Sequence, residues 1–147
     1  MDEITFELST NTKQRDLLRW AMDCAYHVLT FYEEEYPNDK RPRAAIEAGG
    51  KWLNNEITVS EARSLAFKAH AAAREAKNEQ AIFVARSAGH TAATVHVKTH
   101  AVHAANYALR VFDYSEKEKE KERIWQYERL LKIIKKTIDW LSFFNLF

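Results

Sequence analysis

Three histidines, His96, His100 and His103, are the residues of this chain best spaced to do chemistry. Carried on one helix at about 100° per residue, they fall within roughly 60° of one another and form a stripe that Tyr107 continues. Imidazoles one turn apart can share a metal, and nitrogen ligands suit zinc, copper, nickel or iron. The stripe lacks the glutamate beside its first histidine that an HExxH metalloprotease uses, because Val97 stands there. The first expectation is therefore core or groove histidines, hydrogen-bonded to backbone, carboxylates or each other, with no metal and no other cofactor. The alternative is a site for zinc or another transition metal on His96, His100 and His103, in a helical protein with hydrolase chemistry.

Other polar side chains fall one helical turn apart. His70 and Arg74 form one such pair, and Asp23 and His27 another, while His90 points to a different side of its helix from the stripe. A core with little charge needs its polar groups paired, since an unpaired buried charge costs several kcal/mol. Asp23, Arg43, His70, Arg74 and His90 are therefore expected to form a buried polar network or a partner-binding surface; Asp23 and Arg43 facing water is the bland counterpart. Nucleophilic chemistry has little support. Cys24 sits at an apolar helical position, where a thiol behaves as a small hydrophobe. Three glycines are too few for a phosphate-cradling loop.

The elements that must position these groups are helical. Glycine and proline number three and two, and both prolines lie in one turn, Tyr36-Pro37-Asn38-Asp39-Lys40-Arg41-Pro42. All-β folds need far more turn residues than this. Spacing predicts a first helix from near Asn11, capped by that residue, with an apolar stripe from Leu17 to Tyr32. A second runs from Pro42 to about Asn54 and contains Gly49-Gly50, a pair that suggests close packing. Thr58-Val59-Ser60-Glu61 is a capping box opening a third helix that reaches Ala76. Asn78 caps a fourth that extends to about Phe112, with Gly89 as the point where it bends or splits.

This fourth helix is rich in alanine and histidine, and between Gln80 and Leu109 its only formal charges are Arg86 and Lys98. Such a segment must be surrounded by other helices. Ser115-Glu116-Lys117-Glu118 opens the last helix, amphipathic over 115–147, with the apolar stripe Ile124, Tyr127, Leu131, Ile134, Ile138 and Leu141. The expected fold is all-α: one domain over 1–147, a bundle of about five helices around the Ala/His-rich central one. The aromatic end Trp140-Leu141-Ser142-Phe143-Phe144-Asn145-Leu146-Phe147 is expected to fold back on the bundle, because each large apolar side chain left in water forgoes about 1.5–3 kcal/mol. A homodimer interface or a foot on a membrane surface are the alternatives.

Composition narrows the class. The 147 residues are 46% apolar and 29% charged, as in a soluble globular domain. A net charge of +1 provides no global field for nucleic acid. The single cysteine forms no intramolecular disulfide, and neither a signal peptide nor a membrane span is recognisable, so a cytoplasmic protein is expected.

Several segments in order resemble one bacterial group. They are Trp20-Ala21-Met22-Asp23-Cys24-Ala25, Tyr36-Pro37 and Arg41-Pro42-Arg43-Ala44-Ala45-Ile46-Glu47. Ala69-His70-Ala71-Ala72-Ala73-Arg74, Ala88-Gly89-His90, Ala93-Thr94-Val95-His96-Val97 and His100-Ala101 follow. Ala104-Ala105-Asn106-Tyr107-Ala108 and Trp125-Gln126 complete the series. Over about Leu17 to Leu130 the chain resembles the Imm-5-like putative immunity proteins of bacterial toxin–immunity systems. The resemblance implies a helical bundle that binds and neutralises a cognate toxin stoichiometrically, without chemistry of its own. It departs at Leu130-Leu131, where the resemblance leads one to expect proline, and at both termini. Glu33-Glu34-Glu35 and the Asp39 to Arg43 turn are the candidate toxin-facing surfaces.

Overall fold

A computed structural model describes residues 1–144 and shows eight helices and no strand among them. They are α1 (Glu3–Thr10), α2 (Gln14–Val28), α3 (Thr30–Glu33), α4 (Arg41–Leu53), α5 (Val59–Glu75), α6 (Glu79–Ala93), α7 (His100–Arg110) and α8 (Glu116–Phe143). The all-α expectation holds, but the count of about five does not. The difference arises at three places, each decided by capping or backbone competition.

The first is the N-terminus, where Asp2 accepts a hydrogen bond from the Thr5 N–H and starts a separate helix. Asn11 therefore ends α1 instead of capping α2, and α2 begins at Gln14 behind Lys13, which makes no side-chain cap. The second place is Leu29, where a tightened turn detaches α3 from α2. The third is the segment 94–99, which divides the expected long helix into α6 and α7.

The other caps follow the local rules. Thr58, Asn78 and Ser115 accept from the Glu61, Ala81 and Glu118 N–H groups. At the end of α4, Asn55 adopts φ 60°. The Glu56 N–H then donates to the Lys51 carbonyl and the Asn55 N–H to that of Trp52. This is a Schellman closure with asparagine in the left-handed position.

α6 is the hub: α2, α3, α4, α5 and α7 all pack on it. The alanines explain how so many helices reach one axis. Ala69, Ala72 and Ala73 of α5, Ala81, Ala85, Ala88 and Ala92 of α6, and Ala101, Ala104, Ala105 and Ala108 of α7 are all buried. Larger anchors, including Trp20, Leu18, Tyr32, Ile46 and Val84, fill the space toward α2 and α4. Gly49 admits close approach there, since a Cβ would lie 2.8 Å from the Met22 sulfur and 3.1 Å from Leu18 Cδ1.

α8 packs on α2 and α7, and none of its residues beyond Leu130 is fully buried. Its buried residues are Glu122, Gln126 and Leu130, assisted by half-buried Trp125, Ile133 and Ile134. Beyond Leu130 the helix runs on unbroken past Leu131, and Ile138, Trp140, Phe143 and Phe144 are exposed. The expected apolar stripe is thus only partly covered, and through Phe144 the aromatic end does not fold back. A 28-residue helix without glycine or proline offers no place to turn. Residues 145–147 of that end lie outside the described residues. No helix among those described is long and apolar enough to cross a membrane.

Candidate functional site

The break between α6 and α7 decides which histidines meet. Its chemistry is long-range. Gln14 Nε2, at the start of α2, donates to the Thr94 and Val95 carbonyls at 2.9 and 3.0 Å. Those carbonyls are ones the end of a helix leaves without partners. The Thr94 hydroxyl donates back to the His90 carbonyl, and the following Val95 and Val97 are β-branched. Lys98 Nζ then reaches the Thr12 carbonyl at 3.3 Å. The chain reverses, and α7 returns along α6.

His96 consequently lies in the connection and is exposed, so the His96-His100-His103 stripe is not formed. The reversal instead faces His100 and His103 with His90, and α5 adds His70. The Nδ1 atoms of His90 and His100 are 3.0 Å apart, so one ring must donate its N–H to the other. The His90 ring centroid lies 5.0 Å from that of His70, 5.2 Å from those of His100 and His103, and 5.5 Å from that of Tyr107.

Gly89 does not split α6, which runs through it unbroken, but makes room for this arrangement. A Cβ at that position would lie 2.6 Å from His70 Nε2 and 2.7 Å from Cε1. Arg86 Nη1 donates to His70 Nδ1 at 2.8 Å, which keeps His70 neutral with its proton on Nε2. Burial pushes His70 down to about 4, with Arg86 and Arg74 adding to the effect. Burial likewise pushes His90 down to about 3, helped by His70 and His100. His100 is lowered by burial and then by His103. At neutral pH the half-buried His70 and His90 rings are uncharged imidazoles wedged among α5, α6 and α7. Among the described residues, no three or more histidine, cysteine, aspartate or glutamate side chains are grouped so as to hold a metal ion.

The expected polar network is distributed among separate pairs. His70 and His90 come together, and Arg74 acts on His70 through its charge. Asp23 instead binds Arg129 of α8 at 2.7 Å, and Arg43 binds Glu33 at 2.6 Å. The candidate acidic surface is therefore partly spent inside the molecule. Arg43 holds the Glu33 carboxyl below its usual range. Asp39 accepts from Arg41 and from the Tyr32 hydroxyl, which hold its carboxyl far below the usual carboxylate range. Arg41 also reaches Glu75, so these contacts tie the proline turn to α5. Only Glu34 and Glu35 of the acidic stretch stay exposed. A shallow depression of about 790 Å³ at this turn is lined by Glu35, Asp39, Lys40, Arg41 and Lys68, of mixed charge.

A second buried polar centre, not anticipated from the sequence, fastens α8. The Glu122 carboxylate is 3% exposed and lies 2.9 Å from His27 Nδ1. Burial pushes the Glu122 carboxyl up, and His27 partly offsets this. His27 stacks on Trp125 with centroids 3.8 Å apart. Trp20 Nε1 donates to the Gln126 carbonyl and Gln126 Nε2 to that of Ala105, each at 2.9 Å. The i,i+4 spacing of Glu122 and Gln126, which starts in the charge-rich first turns of the helix, is the signal the sequence offers. Cys24 is buried beside them, and burial pushes its thiol well up, first through desolvation and then through Glu122.

A groove of about 980 Å³ lies between α2 and the far half of α8. Met22, Leu53, Ile133, Trp140 and Leu141 supply its apolar lining. Lys13, Arg15, Arg19, Arg129, Lys132 and Lys136 stand around it.

The sequence model of the family described as "Imm-5 like putative immunity protein" matches residues 7–133, most of the chain and all of the elements that build the histidine cluster. No curated protein and no solved structure matches the chain.

Proposed function

The chain belongs to the Imm-5 like putative immunity protein family, and from that premise we propose that it binds a cognate bacterial toxin one-to-one and neutralises it in the cytoplasm of the producing cell. The family match over residues 7–133 carries this reading. Its support from the molecule is the state of the polar groups. The His70 and His90 imidazoles are neutral at pH 7, and the charged pairs Arg43–Glu33, Arg41–Glu75 and Arg129–Asp23 join helix to helix. On this reading the protein acts by occlusion and needs neither a bound metal nor a reaction of its own.

Two measurements test it. Co-expression with the toxin encoded beside its gene should restore growth, and the purified pair should sediment as a one-to-one complex. Growth arrest despite full expression of the chain would refute neutralisation. Elemental analysis of untagged protein addresses the metal reading: near one zinc, iron, nickel or copper per chain, lost on substituting His100, would favour the hydrolase alternative.

A homodimer through the C-terminal aromatics is the second reading, supported by Trp140, Phe143 and Phe144 at 56, 80 and 53% exposure. Large exposed apolar patches mark interaction surfaces. Sedimentation at high concentration tests it, and a monomer would end it.

A further inference from the structure

We propose that the groove between α2 and the far half of α8 is the docking site for an acidic, amphipathic helix of a protein partner. The inference deepens the binding reading above, since it names the surface and the chemistry of what binds there.

Charge is the first ground. Six cations and two carboxylates, Asp16 and Asp23, line the groove. Both carboxylates are already paired, Asp16 with Arg19 and Asp23 with Arg129. Among the described residues, Lys13, Arg15, Lys132 and Lys136 have no carboxylate partner. Arg15 only donates to the Leu53 carbonyl and lies over the Trp52 ring. The whole chain carries a net charge of +1, so this surplus of four is a local concentration. Such a patch selects acidic partners and speeds their approach.

Shape and apolar area are the second ground. From residue 131 to Phe143 α8 continues about 20 Å beyond its last buried residue, at 1.5 Å per residue. One side of that length, with Ile133, Trp140 and Leu141, overhangs Met22 and Leu53. A helix of three to four turns fits the length. It would set apolar side chains on this floor and carboxylates against Lys13, Lys132 and Lys136, the helix-in-groove mode of recognition. A phosphate backbone would engage the cationic rim but leave the apolar floor unmatched. A bilayer surface would not enter a concavity between two helices.

The test uses the full chain and a fluorescently labelled helical peptide of about 14 residues, with leucines on one face and glutamates flanking them. Anisotropy should show saturable binding that weakens about ten-fold in the Lys132→Glu/Lys136→Glu variant and falls with added salt. Trp140→Ala should weaken it as well, while a lysine-flanked peptide of the same face should fail to bind. All three replaced side chains are exposed, and circular dichroism of each variant confirms that helix content is kept. Absence of binding, or equal binding by the charge-reversed variant, would overturn the proposal. So would tighter binding to phosphatidylglycerol vesicles or to single-stranded DNA, or a dimer that buries the groove. Peptide binding without protection against the neighbouring toxin would retain the surface and discard the toxin reading, which separates the two failures.

Discussion

Acidifying the protein from about pH 7.5 to about pH 5 should cost it about 2 kcal/mol of stability through His70 and His90 alone. Both rings titrate near 6.5 in the unfolded chain, whereas burial and neighbouring positive charge hold them at about 4 and about 3 when folded. Within that window the unfolded state binds more protons than the native state. Stability is therefore complete above the unfolded value and is lost as the pH falls through the window. pH 5 lies about 1.5 units below the unfolded value of each ring, which sets an upper limit of about 2 kcal/mol per ring. Both rings keep partial contact with solvent, and halving each for screening leaves about 1 kcal/mol apiece.

For a chain of this size that corresponds to a fall in Tm of about 4–8 °C. Glu122 works in the opposite direction, because burial raises its carboxyl, so the folded state takes up that proton at higher pH than the unfolded state does. The comparison must therefore be with a His70→Gln/His90→Gln variant, in which Glu122 is unchanged. Urea unfolding followed by circular dichroism at several pH values provides the slopes. The wild type should lose more stability per pH unit than the double variant between pH 6.5 and pH 5. Equal slopes, or a steeper loss in the double variant, would refute the argument.

Gly89→Ala should destabilise the fold by about 1–2 kcal/mol although alanine is the better helix former by about 1 kcal/mol, because the new Cβ meets the His70 ring. In a His70→Ala background the same change should become neutral or stabilising, and a double-mutant cycle by urea unfolding measures the coupling. Gln14→Ala should leave the Thr94 and Val95 carbonyls without their donor and cost about 1–2 kcal/mol. Hydrogen exchange should rise at 94–99 before it rises elsewhere; uniform acceleration across the chain would contradict a local role. Cys24 should resist a thiol-titrating reagent in the native state and react fully in denaturant, since its thiol is buried and raised. Rapid native labelling would show that α8 opens readily.

How far the sequence could be read depended on the range of the interactions involved. Capping is local, and Thr58, Asn78 and Ser115 open their helices where their side chains can reach an N–H three residues on. Scarcity of glycine and proline selects helices, and the ordered alanine-rich segments suffice to place the chain in its family. Asp2 was a local signal too, and its cap starts the α1 that the periodic stripe beginning at Leu17 did not call for.

The candidate site was a different matter. Six residues between Ala93 and His100 are helical by spacing alone, and on an isolated helix the stripe would join His96 to His100 and His103. What ends the helix is a side chain 80 residues away, whose two hydrogen bonds at the Thr94 and Val95 carbonyls favour the reversal. The reversal moves His96 out to solvent and brings His90 against His100, a pairing that no fixed sequence interval encodes. In the same way Asp23 found Arg129 rather than Arg43, because α8 lies across α2. Sequence alone determined the helical class, most of the caps and the family, all set by contacts within a turn or by residue order. Tertiary structure decided which imidazoles and charges meet, because a polar group takes whichever partner satisfies it when buried, and burial exists only after distant helices have packed.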